Sequence, residues 1–212
     1  MKQMLNRRLY HSLRLLSALC TPFAATFLSF VVLLFFTYLA ILPLPYRLLV
    51  LLVVYFFTIF FPAVSLHAYR RAMGWRPTAW RDRRKRLVPY GITFVCHLLC
   101  YFVMQQMSLP RYMYGILLGT LIAIVLSALA NFRFKVSEHM IPLGGATAGV
   151  VIFGFLLNFN PLLQLSFFIL LTGVVGSARI ILKHHTAAEV AIGYAIGFIS
   201  IIAALGYYFF MP

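Results

Sequence analysis

Acidic side chains are nearly missing from this sequence: Asp82, Glu138 and Glu189 are the only three in 212 residues. So few carboxylates leave no Asp/Glu-rich cluster to hold a metal. Cysteine is equally scarce. Cys20, Cys96 and Cys100 sit in or beside apolar runs, build no disulfide framework or known metal spacing, and read as packing residues. The residue-by-residue alternation of a membrane β-barrel is absent, so any membrane-crossing architecture must be helical. Gly144-Gly145 lacks the Gly-Lys-Ser/Thr ending of a P-loop, which removes that mode of phosphate binding.

What the chain does have is apolar length. It is 63% hydrophobic and 10% charged, with a mean hydropathy of +0.96, values outside the range of water-soluble domains. Uncharged stretches run from Thr21 to Leu42, Leu48 to Leu66, Leu87 to Pro110, Tyr112 to Phe132, Met140 to Ala178 and Val190 to Pro212. A crossing takes roughly 20 apolar residues. The fifth stretch is about twice that length and is interrupted at Asn158-Phe159-Asn160-Pro161, a turn-prone cluster that makes it a hairpin of two spans. The expectation is an all-α, polytopic transmembrane helix bundle of about seven spans.

A net charge of +15 suggests nucleic acid at first sight. The basic residues flank apolar runs instead of covering one folded face, so membrane topology explains them and no nucleic-acid partner is expected. Seven spans put sixteen of the eighteen basic residues on one side and leave Arg47 and Arg111 on the other. The positive-inside rule makes the rich side cytoplasmic and the C-terminus external. Residues 1–20 combine Leu5, Leu9, Leu13 and Leu16 with Lys2, Arg7, Arg8 and Arg14, as in a helix lying in the headgroup layer. The apolar run that follows is too long for a signal-peptide core and is read as a retained first span. Residues 21–80 form a leading hairpin, facing lipid at the bundle edge, and its basic loop; residues 81–212 form the core that carries chemistry.

Three polar clusters stand out. The loop from Ala68 to Val88 holds Arg83 and Arg86, three apart and able to grip phosphate oxygens, or simply a topology-setting basic loop. Arg133-Phe-Lys-Val-Ser-Glu-His139 follows span four; on a helix Lys135 and His139 would be four apart, with Ser137 nearby. Between spans six and seven, Arg179, His185 and Glu189 offer a guanidinium, an imidazole and a carboxylate; on a helix His185 and Glu189 stack one turn apart. Even numbers of spans separate the clusters, so all three emerge on one face of the membrane.

Cys96-His97-Leu98-Leu99-Cys100 lies inside span three and lacks further ligands. A histidine hydrogen-bonded within the bundle is the preferred reading there, and also for His67. Gly115/Gly119, Gly145/Gly149 and Gly193/Gly197 match the small-x-x-x-small pattern of close helix packing.

Together the clusters resemble the type 2 phosphatidic acid phosphatases, whose signatures are Lys-x6-Arg-Pro, Pro-Ser-Gly-His and Ser-Arg-x5-His-x3-Asp. Arg179-x5-His185-x3-Glu189 matches the third and selects His185 over His184; Ser137-Glu138-His139 matches part of the second; Arg83-x2-Arg86-x2-Pro89 looks like a bacterial variant of the first. Ala178 stands where the family has serine, Glu138 where it has glycine, and Glu189 where it has aspartate. The resemblance covers roughly residues 81–200. It implies a haloperoxidase-like helical core and a metal-independent, cofactor-free hydrolase of a bacterial inner membrane, acting on a phosphorylated lipid. His185 would attack phosphorus, Glu189 orient its ring and His139 protonate the leaving oxygen, with Arg179, Lys135, Ser137, Arg83 and Arg86 binding phosphate. A non-catalytic lipid-binding or transport protein is the alternative.

Overall fold

A computed structural model describes residues 22–74, 87–156, 158 and 160–210. The basic segment 1–20, Asp82, Arg83 and Arg86 lie outside them. The described residues hold seven main helices and no strand: α1 (Pro22–Phe36), α2 (Leu44–Ala72), α3 (Leu87–Gln105), α4 (Arg111–Ala130), α5 (Met140–Leu156), α6 (Leu162–Ile181) and α7 (Ala187–Phe210). Helices α2, α3, α4, α6 and α7 are long and apolar enough to cross a membrane; α1 and α5 are apolar but shorter.

The breaks between helices follow from local chemistry. Pro43 precedes α2, and inside it Pro62 lacks an N–H and crowds the carbonyl four residues back. The helix adapts with a π turn over Phe56–Phe60, in which the Phe61 N–H donates to the Phe56 carbonyl. Pro110 separates α3 from α4, and the Tyr114 hydroxyl donates to the carbonyls of Met107 and Leu109 at 2.7 and 2.9 Å. The expected break in the long fifth stretch is present: Asn158 takes a left-handed φ of 49°, and Asn160 Oδ1 accepts the Leu162 N–H at 3.0 Å.

The tightest packing joins α5 to α7. A side chain on Gly197 would collide with the Ile141 carbonyl, and one on Gly144 with the Tyr194 carbonyl. Of the expected small-residue pairs, Gly193/Gly197 and Gly115/Gly119 make close approaches; Gly149 has open space where a Cβ would stand, and Gly144 takes its place. The main core is formed by Phe30, Leu34, Val50, Val54, Met104, Met113, Leu117 and Leu205. The leading hairpin therefore contributes to the interior, contrary to its expected place facing lipid. Its outer face still shows Leu28, Leu48 and Leu52.

The helix order gathers the C-termini of α2, α4 and α6 with the N-termini of α3, α5 and α7 at one end. The Tyr90 hydroxyl on α3 donates to Glu138 at 3.4 Å, joining α3 to the loop 131–139. Six of the eight described basic residues lie at this end; Arg47 and Arg111 lie at the other.

Candidate functional site

The site is built where α6 stops and α7 starts. After Ile181 the chain makes a Schellman turn: the Lys183 N–H donates to the Ile180 carbonyl at 2.9 Å and the His184 N–H to the Arg179 carbonyl at 3.1 Å. Lys183 occupies the left-handed position that glycine usually takes, with φ 54°. The His185 N–H also reaches the Arg179 carbonyl, at 3.3 Å. Then α7 opens with a capping box. Thr186 Oγ1 accepts the Glu189 N–H at 3.3 Å, and Glu189 Oε2 accepts the Thr186 N–H at 3.1 Å.

His185 sits between these two devices, 8% exposed. Its Nδ1 lies 3.1 Å from the Lys135 carbonyl oxygen and 3.4 Å from Glu189 Oε2. A carbonyl only accepts, so Nδ1 carries the proton and the lone pair belongs to Nε2. Burial first, then the Arg179 cation, push the imidazole down from the ordinary 6.5 to about 4; Lys135 pushes the same way through its charge, while its carbonyl and the Glu189 carboxylate oppose the shift. At neutral pH the ring is an uncharged base with one oriented nitrogen.

The loop 131–139 lies along this turn. Lys135 Nζ donates to the His184 carbonyl at 3.3 Å, and the Ser137 N–H donates to the Glu189 carbonyl at 3.3 Å. Gly193 makes this approach possible, because a Cβ there would stand 2.6 Å from the Ser137 carbonyl. The Ser137 hydroxyl is fully buried and has no hydrogen-bond partner among the described residues. A concavity of about 300 Å³ opens over the turn, walled by Ile180, Lys183, His184, His185, Thr186 and Glu189, at the small end of ligand sites.

The fold thus brings together Arg179, His185, Glu189, Lys135 and the Ser137 backbone. His139 ends the same loop, half-buried, one residue before α5. Two expectations of helical geometry are corrected. Residues 135–139 form a loop and not a helix face, and His185 precedes α7 instead of lying on it. His185 and Glu189 meet because the capping box turns the Glu189 side chain back toward residue 186. Sequence reasoning missed Lys183 and His184 as wall residues; it also missed Thr186, although Thr-x-x-Glu before an apolar run is a capping signal.

His97, 2% exposed, bonds through Nδ1 to the Thr93 carbonyl of its own helix at 2.9 Å. His67 is exposed on α2 and not inside the bundle as expected. Among the described residues no three His, Cys, Asp or Glu side chains converge as metal ligands would.

Comparison with known proteins adds no relative: no protein-family model, no curated protein and no solved structure matches the chain.

Proposed function

We propose that the protein is a multi-pass membrane phosphohydrolase that releases phosphate from a phosphorylated lipid, a phosphomonoester or a pyrophosphate, through a phosphohistidine on His185. The observation that carries this reading is the fixed tautomer of His185. Its Nδ1–H is held by the Lys135 carbonyl at 3.1 Å, which leaves the Nε2 lone pair for phosphorus. The imidazole is kept neutral by burial and by Arg179. As the Nε2–P bond forms, positive charge develops on the ring and Glu189 lies 3.4 Å from Nδ1 to offset it. Arg179 and Lys135, whose charges both act on His185, would balance charge on the phosphoryl oxygens. Water then attacks phosphorus, the P–N bond breaks and inorganic phosphate leaves. The resemblance in the sequence supplies the reaction class, and implies a route that needs no metal or cofactor.

Crossing the bilayer seven times, with the site at the interface, the protein would keep the lipid tail in hydrocarbon while the headgroup meets the cationic end. A bacterial inner membrane is the proposed location. The test is phosphate release from phosphatidate and from a polyprenyl pyrophosphate by the purified protein in detergent. Trapping of an acid-labile, alkali-stable phosphoenzyme that disappears in His185→Ala supports the reading. Hydrolysis that survives this substitution removes His185 as nucleophile.

The Thr186–Glu189 capping box favours a second reading, because it gives Glu189 a purely structural task. A non-catalytic lipid-binding or transport protein would bind phosphatidate vesicles yet form no phosphoenzyme.

A further inference from the structure

We propose that Lys183 holds the second phosphate of a lipid pyrophosphate and so selects pyrophosphates over monophosphates; this rests on the phosphohistidine reading of His185. Lys183 is one of the residues walling the concavity over His185, and its side chain is exposed.

The backbone makes lysine a costly choice at this position. Lys183 ends the turn after α6 with φ 54°, a conformation that crowds a Cβ against the following carbonyl and leaves glycine free of strain. Stability alone therefore favours glycine. A cation suits the negative end of a helix, but Arg179 already stands in the last turn of α6. Ion pairing does not account for the residue either. Among the described residues neither carboxylate pairs with Lys183: Glu138 accepts the Tyr90 hydroxyl, and Glu189 serves the cap and His185. The strained turn thus carries an ammonium with three donors on a flexible stem, beside a site read as phosphate-binding.

Its surroundings indicate which phosphate. Arg179 and Lys135 are the cations whose charges act on the His185 ring, which groups them with the phosphoryl that Nε2 attacks. The Lys183 charge is not among those acting on the ring, although its backbone is two residues away. Lys183 also adjoins Ile180, whose carbonyl accepts the Lys183 N–H at 2.9 Å and whose exposed side chain walls the same concavity. An apolar side chain beside an ammonium matches the point where a hydrocarbon tail joins its phosphate.

The chemistry balances. The Nε2 lone pair of His185 forms a bond to the terminal phosphorus, the bond from that phosphorus to the bridging oxygen breaks, and its electron pair stays on the bridging oxygen. The lipid monophosphate leaves as an anion, and Lys183 offsets the charge that develops on it. Water then adds to the phosphohistidine, the P–N pair returns to Nε2, and inorganic phosphate leaves with one proton released to solvent.

The test compares full-length wild type, Lys183→Gly and Lys183→Arg in detergent, by initial rates of phosphate release from farnesyl pyrophosphate and from farnesyl phosphate. Loss of one charged contact should lower kcat/KM of Lys183→Gly on the pyrophosphate by about 10–100-fold and leave the monophosphate close to the wild-type rate. Lys183→Arg should keep the wild-type preference. Lys183→Gly should also melt no lower than wild type, so that its loss is not one of folding. Equal losses on both substrates, no loss on either, or a wild type that hydrolyses only the monophosphate would each overturn the assignment to Lys183 and leave His185 standing. A wild type that hydrolyses neither substrate and forms no phosphoenzyme overturns the parent reading, and Lys183 with it.

Discussion

Glu189 stands in two structures at once, and substitutions can separate them. As the third residue of α7 it accepts the Thr186 N–H at 3.1 Å, and the same oxygen lies 3.4 Å from His185 Nδ1. Glu189→Gln keeps an acceptor for the cap but removes the charge. At 3.4 Å the attraction between a carboxylate and an imidazolium forming in the transition state is about 5 kcal/mol at an effective dielectric of about 20. Part of this is lost because the Glu189 side chain is 16% exposed and shares its oxygen with the cap, which leaves about 3 kcal/mol, or roughly 10²-fold in kcat. Thr186→Ala does the opposite. It removes the capping hydroxyl, costs about 1 kcal/mol of stability, and should leave kcat within a few-fold of wild type. Initial rates of phosphate release from phosphatidate, with thermal melting of the same detergent-solubilised samples, read both effects. A Glu189→Gln variant with wild-type kcat would refute the electrostatic role and reduce Glu189 to a helix cap.

Acid should act late on this site: His185 is held at about 4, so its imidazole stays neutral well below pH 6, and under the proposed mechanism its loss by protonation shows in kcat/KM only as pH falls through about 4. Arg179 is the main charge behind that depression, so Arg179→Gln raises the midpoint toward 6.5 and moves the acid limb upward, a shift that ¹⁵N NMR of labelled histidine also reads. Gly197→Val drives a side chain into the Ile141 carbonyl and should cost about 3 kcal/mol or more through separation of α5 from α7. Gly149→Ala, with open space at its Cβ, should be neutral or slightly stabilising in the same melting assay. Lys183→Gly relieves a left-handed residue at the end of α6 and should raise stability by about 0.5–1 kcal/mol.

Three helix breaks were legible because residues whose chemistry stops a helix mark them: Pro43, Pro110 and Asn160-Pro161. Which glycine of Gly144-Gly145 meets α7 was not legible, since one residue is about 100° of helix and the partner's rotation is unknown from sequence. The site was legible as a set of residues and misread as geometry. Arg179, His185 and Glu189 were placed on one helix, where four-residue spacing stacks side chains. In the fold, α6 ends between Arg179 and His185 in a turn that bonds both histidine N–H groups to the Arg179 carbonyl, and the Thr186 cap begins the next helix. The turn brings the His185 N–H back onto the Arg179 carbonyl at 3.3 Å, whereas six residues of continuous helix would leave the two side chains about 120° apart. On a continuous helix His184 would point about 100° away from His185; in the turn both wall one concavity.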